Sequence, residues 1–190
     1  MKNSRKTRGL ILILLGLVFF IGAGYWFNAN VQEDKSAGKS SAKILKEVEK
    51  QQSKDNSSDV IYVEDSAFCG TVEIKKLGVK LPVFNKWNDS NLMKAPCRYS
   101  GSVKENNMIV VAHNYRSHFG SLQRLSKGDE IIFTDAYNIK HIYKVSKVTN
   151  LDKTDVEQMK SGKWDFTLFT CTINREHRVT VRCVLKSGGN

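Results

Sequence analysis

One long apolar segment stands near the N-terminus of the chain. Residues 9–28 carry no charged side chain, and the basic flank before them, residues 1–8, contains Lys2, Arg5, Lys6 and Arg8. A helix of about 20 apolar residues can cross a bilayer core of about 30 Å, and basic residues favour its cytoplasmic side. The pattern predicts an uncleaved signal anchor over 9–28, with residues 1–8 in the cytoplasm and the rest of the chain outside the cell. A cleaved signal peptide is the alternative, which the length of the run and its bulky end, "YWF", disfavour.

The segment that follows, residues 29–59, is polar and charge-balanced, and it contains no aromatic side chain. This composition predicts an extracellular linker. Within it, residues 41–54 have the spacing of a short helix, because Ile44, Leu45 and Val48 share one face. Such a thin apolar face would need a surface to pack on.

From Val60 onward the sequence consists of short apolar runs separated by Gly, Asn and Asp turn signals. The pattern predicts strands over 71–77, 79–84, 108–113, 130–134, 140–149, 166–171 and 177–186. Two short helices are predicted over 118–125 and 154–162, with Thr154 as the N-cap of the second. Residues 60–190 are therefore predicted to form one mainly β domain, a barrel or a sandwich with few helices.

Composition narrows the function classes. Hydrophobic residues make up 41% of the chain and charged residues 26%, which is typical of a globular protein. The formal net charge is +11, but no basic run of five or more residues occurs. An ordinary basic surface is favoured over nucleic-acid binding.

The four cysteines occupy different settings. No pair has C-x-x-C spacing, which argues against a structural zinc site. Cys183 alternates in step with the valines before it and is predicted to be an inert core thiol. Cys69 and Cys97 lie in loop-like contexts, where the sequence leaves free thiols and a mutual disulfide both open.

Cys171 ends the apolar run "FTLFT" and begins a polar loop. A buried thiol and a catalytic nucleophile are both open at this position. A nucleophilic cysteine needs a proton shuttle, and His113 also ends an apolar run, which makes it the preferred partner. His118 is the fallback, and His141 and His177 have the setting of surface residues.

A positively charged side chain follows the cysteine. Arg178 opens the next predicted strand, where it could lie beside Cys171 and stabilise an oxyanion. Arg175 and Arg182 are its rivals, and a solvated strand charge is the structural alternative for all three.

Together these features resemble the sortases, the cysteine transpeptidases of Gram-positive bacterial surfaces. The residues that carry the resemblance are "AHN", "TLFTC" at 167–171, which matches the family signature T-L-x-T-C, and the arginine-headed strand "RVTVRC". The resemblance covers about residues 60–186. It implies a closed β-barrel of about eight strands with Cys171, His113 and Arg178 as catalytic residues. Thr170 and Asn114 are expected to bind substrate.

The resemblance also implies an activity. A membrane-anchored transpeptidase would cleave an LPXTG-like sorting signal of surface proteins after threonine, through a thioacyl intermediate, with peptide hydrolysis as a side activity. It would transfer the protein to an amine such as that of lipid II or another peptidoglycan precursor, without a cofactor. The alternative is a non-catalytic anchored surface-binding module in which Cys171 is structural. A papain-like protease is disfavoured because its cysteine signature is absent.

Some features depart from the family pattern or leave it open. Ala112 stands where sortases commonly have glycine, the loop after Cys171 is short, and no aspartate-proline-aromatic lid motif precedes the barrel. The subclass is therefore open. Some sortases bind calcium near the substrate groove, and Asp152, Asp155 and Glu157 could form such a site. We expect them to be solvated surface charges, with no metal required.

Overall fold

The computed structural model describes residues 2–54 and 57–186. The chain divides into two compact units, Met1–Ser36 and Ala37–Asn190. The first unit is helical throughout its described residues and forms the N-terminal part of α1, Lys2–Lys54. Between Gly9 and Gln52 this helix contains an apolar window with a mean hydropathy of 2.4. It could therefore span a membrane, as the sequence predicts.

Much of the segment predicted as a linker is helical in the structure. Residues 29–54 are helical, and from Ala37 onward they belong to the same unit as the β domain. Val48 is fully buried there and Ile44 is partly buried. The apolar face predicted within 41–54 therefore packs on the β domain. The free energy gained by this burial explains why a polar segment is ordered.

After α1, the described residues of the second unit form nine strands and two further short α-helices. The strands are β1 (Ile61–Val63), β2 (Ser66–Ile74), β3 (Val79–Phe84), β4 (Cys97–Ser100), β5 (Met108–Val111), β6 (Glu130–Asp135), β7 (Lys140–Asp152), β8 (Phe166–Cys171) and β9 (His177–Leu185). The helices are α2 (Asp89–Leu92) and α3 (Val156–Lys160), and two 3₁₀ turns occupy Lys75–Leu77 and Leu122–Arg124.

Eight of the strands close into a barrel. Their order is β2-β3-β4-β5-β8-β9-β7-β6, and β6 pairs back onto β2, which leaves β1 as an additional strand on β2. The β5–β8 pairing is parallel, whereas β8–β9 is antiparallel. The predicted closed barrel of about eight strands is confirmed.

Side chains alternate between two hydrophobic clusters. On β8, Phe166 and Leu168 belong to the cluster inside the barrel, whereas Phe169 belongs to a second cluster on its outer surface. Tyr143 stacks on Phe166 inside the barrel, with ring centroids 4.6 Å apart. The period of two along a strand therefore assigns Cys171, like Phe169, to the outer surface.

Several local predictions need correction. β1, β4 and α2 have three or four residues each and were not predicted, because so few residues cannot show a period. The helix predicted over 118–125 is only the 3₁₀ turn at Leu122–Arg124. Asp155, not Thr154, is the N-cap of α3, because its side chain accepts a hydrogen bond from the backbone N–H of Gln158.

Candidate active site

Cys171 is the last residue of β8 and the only one of the four cysteines that is not buried. Cys69 and Cys97 lie in β2 and β4, not in loops, and both are free, buried thiols. Burial raises the pKa of each of these two thiols to about 12, and it also raises the pKa of Cys183, which lies inside the barrel as predicted. Exposure therefore distinguishes Cys171 from three thiols that stay protonated at neutral pH.

Arg178 lies directly opposite Cys171 in the β8–β9 ladder. Its Nη1 donates a hydrogen bond to Cys171 Sγ over 3.2 Å. The five residues between the two strands form a tight turn, in which Thr172 N–H donates to the carbonyl of His177 and Arg175 has a φ of 59°. The short loop thus places the guanidinium of Arg178 within hydrogen-bond distance of the sulfur of Cys171.

The two rival arginines lie elsewhere. Arg175 is exposed in the turn. Arg182 is buried on the outer surface of β9, where its guanidinium donates to the carbonyls of Met159 (2.7 Å) and Gln158 (2.5 Å) and to the hydroxyl of Thr167 (3.1 Å). Burial lowers the pKa of Arg182 from its usual value. Arg182 therefore anchors the end of α3, and among the three only Arg178 contacts the cysteine.

His113 follows β5, which runs parallel to β8. Val111 pairs with Phe169, and the N–H of Ala112 donates to the carbonyl of Phe169 over 3.2 Å. Continuing this register by two residues places His113 beside Cys171. His113 is half-buried, and its ring centroid lies 5.0 Å from that of Tyr115.

Thr170 and Asn114, the two predicted substrate-binding residues, have different surroundings. Thr170 is 1% exposed, and its hydroxyl donates to the carbonyl of Ala112 over 2.8 Å, which ties β8 to the backbone just before His113. Asn114 is half-buried in the loop after His113. Gly120 approaches this loop so closely that an added Cβ would lie 2.3 Å from the carbonyl oxygen of Asn114. The substrate contacts of Thr170 and Asn114 stay predictions.

The other three histidines have distinct positions. His118, the fallback proton shuttle, is completely buried, with Nε2 2.9 Å from Ser41 Oγ. The Nε2 of His141 lies 2.7 Å from a carboxylate oxygen of Asp135. His177 is exposed at the start of β9 and pairs with Asp152 on β7. The geometry therefore favours His113 as the partner of Cys171.

A groove of about 270 Å³ opens beside Cys171 and Arg178 on the outer surface of the barrel. Three aromatic rings form one wall of the groove. The ring centroid of Tyr99 lies 5.4 Å from that of Phe169 and 6.4 Å from that of Trp87, and both pairs pack edge to face. The remaining lining residues are Leu92, Val111, Val156, Met159, Asp152, Lys153 and Asp155. A mostly apolar trough with a few charges at its edge suits an extended peptide with apolar side chains.

Sequence reasoning missed this groove. Trp87 and Tyr99 come from segments with no recognisable period, and nothing in the local sequence links them to Phe169. The outward position of Phe169 could have been found from alternation along β8, since Phe169 is two residues before Cys171.

Two of the three acidic residues considered for calcium accept local hydrogen bonds. Asp152 accepts hydrogen bonds from the backbone N–H and the hydroxyl of Thr154, which lower the pKa of Asp152. Asp155 caps α3, and Glu157 lies in the first turn of that helix. Within residues 2–54 and 57–186, no three His, Cys, Asp or Glu side chains converge on a point that could hold a metal ion.

Comparisons with known proteins identify the family of the chain. The family model of the Sortase domain matches residues 72–186, more than half of the chain. Sortase A of Listeria monocytogenes serovar 1/2a is 28% identical over 114 residues, which are 57% of this chain and 51% of that protein. The chain thus spans about half the length of the curated relative that it matches.

Solved structures show the same fold. The crystal structure of Listeria monocytogenes sortase A superposes with a TM-score of 0.58 at 23% identity, covering 63% of this chain and 88% of that chain. Streptococcus pneumoniae sortase C superposes with a TM-score of 0.57 at 22% identity, covering 67% and 69%. On the strength of the match over residues 72–186, the chain belongs to the sortase family.

Proposed function

We propose that this chain is a membrane-anchored extracellular cysteine transpeptidase that joins surface proteins to a cell-wall amine. Sortases as a family are cysteine transpeptidases. The observation that carries the proposal is the hydrogen bond of 3.2 Å from Arg178 to the sulfur of Cys171, at the edge of an apolar groove. A cation that contacts both the sulfur and the space beside it can stabilise charge as it moves from sulfur to oxygen.

In the first half-reaction, Cys171 gives its thiol proton to His113, and the resulting thiolate attacks the threonine carbonyl carbon of an LPXTG-like signal. An S–C bond forms, and the carbonyl oxygen becomes an oxyanion to which Arg178 donates. The C–N bond to the following residue then breaks, and His113 donates a proton to the leaving amine. The products are a thioacyl enzyme and a released C-terminal peptide.

In the second half-reaction, an amine of lipid II or another peptidoglycan precursor attacks the thioester. His113 accepts a proton from the attacking nitrogen, a new C–N bond forms, and the S–C bond breaks to restore Cys171. Water in place of the amine gives hydrolysis, the side reaction. The groove supports this order, because a peptide lying against Tyr99 and Phe169 would present its carbonyl to the sulfur.

The N-terminal part of α1 supports the proposed location. The apolar stretch at 9–28 follows four basic residues, which favours a cytoplasmic N-terminus and an extracellular barrel. There, surface proteins that carry a C-terminal sorting signal and precursors bound to the outer leaflet would both be accessible to Cys171.

The test uses the full chain in detergent micelles. The wild-type chain and Cys171→Ala are incubated in parallel with LPXTG-like and NPXTN-like peptides and an amine nucleophile. Intact-mass spectrometry then measures the acyl adduct on each chain and the cleavage products. The expected result is an acyl adduct on the wild-type chain, cleavage after threonine, and neither product with the variant. If no peptide is cleaved and Cys171 also resists alkylation, the enzymatic proposal is wrong and the non-catalytic binding module replaces it.

A further inference from the structure

The C-terminal part of α1 packs on the loop that follows His113. We define residues 113–121 as the histidine loop. Ala37, Ser41, Val48 and Gln52 are buried along one face of α1. Gln52 donates to the carbonyl of Asp135. The contact between α1 and the barrel domain therefore extends over four turns of helix.

Ser41 is the polar centre of this contact. The Ser41 hydroxyl is 2% exposed and donates to the carbonyl of Lys94 over 2.6 Å. The Nε2 of His118 lies 2.9 Å from the same oxygen. A hydroxyl has one proton, and here Lys94 receives it, so Nε2–H of His118 must be the donor to Ser41 Oγ. The contact thus determines that Nε2 of His118 is protonated.

Gly38 and Ser117 form a second close contact between α1 and the histidine loop. A Cβ on Gly38 would lie 2.9 Å from Cβ of Ser117, which is closer than real side chains approach. A glycine in the middle of a helix is unfavourable for the helix itself. Its presence here is explained by the close approach of the histidine loop.

Contacts within the histidine loop connect His118 to His113. The Tyr115 ring is a neighbour of both histidines, with its centroid 5.0 Å from that of His113 and 5.6 Å from that of His118. Along the backbone, the N–H of Phe119 donates to the carbonyl of His113 over 3.2 Å. Ser41 therefore holds the imidazole of His118, which packs against Tyr115, and Tyr115 packs against His113.

We propose that Ser41 and His118 are positioning residues, through which α1 holds His113 in the geometry for proton transfer. The proposal rests on the proposed function, since it assigns His113 the role of proton donor. Proton transfer requires heavy atoms within hydrogen-bond reach, and a small displacement of a catalytic group greatly reduces the rate. Loss of the Ser41 contact should therefore lower turnover and leave peptide binding in the groove unchanged.

The experiment compares variants of the full chain in detergent micelles, with an LPETG-containing peptide as substrate. Ser41→Ala is expected to lower kcat about tenfold with an unchanged KM. Gly38→Ala should also lower kcat, because the added methyl group displaces Ser117 in the histidine loop. A gain in helix propensity would by itself stabilise α1, so a loss of kcat here reflects the displacement. Val48→Ala is the matched control, since it removes apolar contact from the same helix face two turns away without touching the histidine loop.

The variants separate positioning from general stability. The proposal is supported if Ser41→Ala and Gly38→Ala lose kcat while Val48→Ala keeps it despite a lower Tm. It is overturned if Ser41→Ala keeps the wild-type kcat, or if Val48→Ala loses as much. NMR of chains labelled with ¹⁵N-histidine adds a readout that needs no substrate: the wild type should show a protonated Nε2 on His118, and a bare Nε2 contradicts the proposal. A wild-type chain that forms no acyl adduct overturns the proposed function itself, a result distinct from a fully active Ser41→Ala variant.

Discussion

Arg178 donates a hydrogen bond from Nη1 to Sγ of Cys171 over 3.2 Å, between two residues that are cross-strand partners on β9 and β8. Seven positions separate them in the sequence, and the antiparallel ladder brings them side by side. Both residues line the edge of an apolar groove, and in the proposed mechanism the arginine contacts the sulfur and then the substrate carbonyl.

Substitution of Arg178 tests this relationship. Arg178→Ala should reduce the rate of acyl-adduct formation by about 10²–10³, the range for losing one oxyanion donor. Arg178→Lys should recover little of this rate, because an ammonium lacks the planar fork of guanidinium donors. Rates come from intact-mass spectrometry of quenched samples, and a fully active Arg178→Lys variant would show that charge alone is sufficient.

Arg182 should behave differently although it lies on the same strand and face. Arg182→Ala removes two hydrogen bonds to backbone carbonyls of α3 and one to the hydroxyl of Thr167 on β8. We expect the free energy of unfolding to fall by about 1–3 kcal/mol, measured by urea denaturation. The matched comparison is Arg178→Ala, which should change stability much less because Arg178 is only half-buried.

The thiols should differ sharply in reactivity. At pH 8 Cys171 is expected to be alkylated by iodoacetamide in the folded chain, whereas Cys69 and Cys97 stay unmodified. Burial blocks access to these two thiols and raises their pKa to about 12, so they stay protonated until the pH approaches that value. Peptide mapping locates the label, and rapid labelling of Cys69 or Cys97 would contradict the buried positions.

The hydroxyl of Thr170 should matter for both stability and rate. Thr170→Val keeps the shape but removes the donor to the carbonyl of Ala112, which should cost about 1 kcal/mol of unfolding free energy and slow acyl-adduct formation. Thr170→Ser keeps the hydroxyl and serves as the control. Equal rates for the two variants would show that this hydrogen bond does not help to position His113.

Packing of α1 should contribute measurably to the stability of the barrel domain. Val48→Ala removes apolar atoms from a fully buried site, and we expect a loss of about 1–3 kcal/mol in the free energy of unfolding. Lys46→Ala, at an exposed position on the same helix, is the control and should change it by less than about 0.5 kcal/mol. If both variants unfold at the same urea concentration, the packing of α1 seen here does not stabilise the domain.

Much of the barrel could be predicted because its strands carry a strong period. The alternation in β9 placed Val179, Val181 and Cys183 inside the barrel, where the structure has them. The motif around Cys171 and the arginine after the short loop could also be located from the sequence. A tight antiparallel connection leaves few ways to arrange its two ends.

Short elements and packing partners could not be predicted. β1 and β4 contain too few residues to show alternation, and their pairing depends on β2, β3 and β5. The helix predicted over 41–54 extends back through the polar residues 29–40, and the barrel surface that buries Val48 could not be identified from the sequence. No local pattern contains this information.

The sequence by itself therefore determined the apolar N-terminal segment, the β-rich domain and the location of the candidate residues Cys171 and Arg178. These depend on composition, period and short spacing along the chain. Tertiary structure alone decided that the strand before His113 runs beside β8, that Arg182 anchors α3, and that Ser41 Oγ lies within hydrogen-bond distance of His118. These contacts join segments far apart in sequence, and they form only when the barrel closes and α1 packs against its surface.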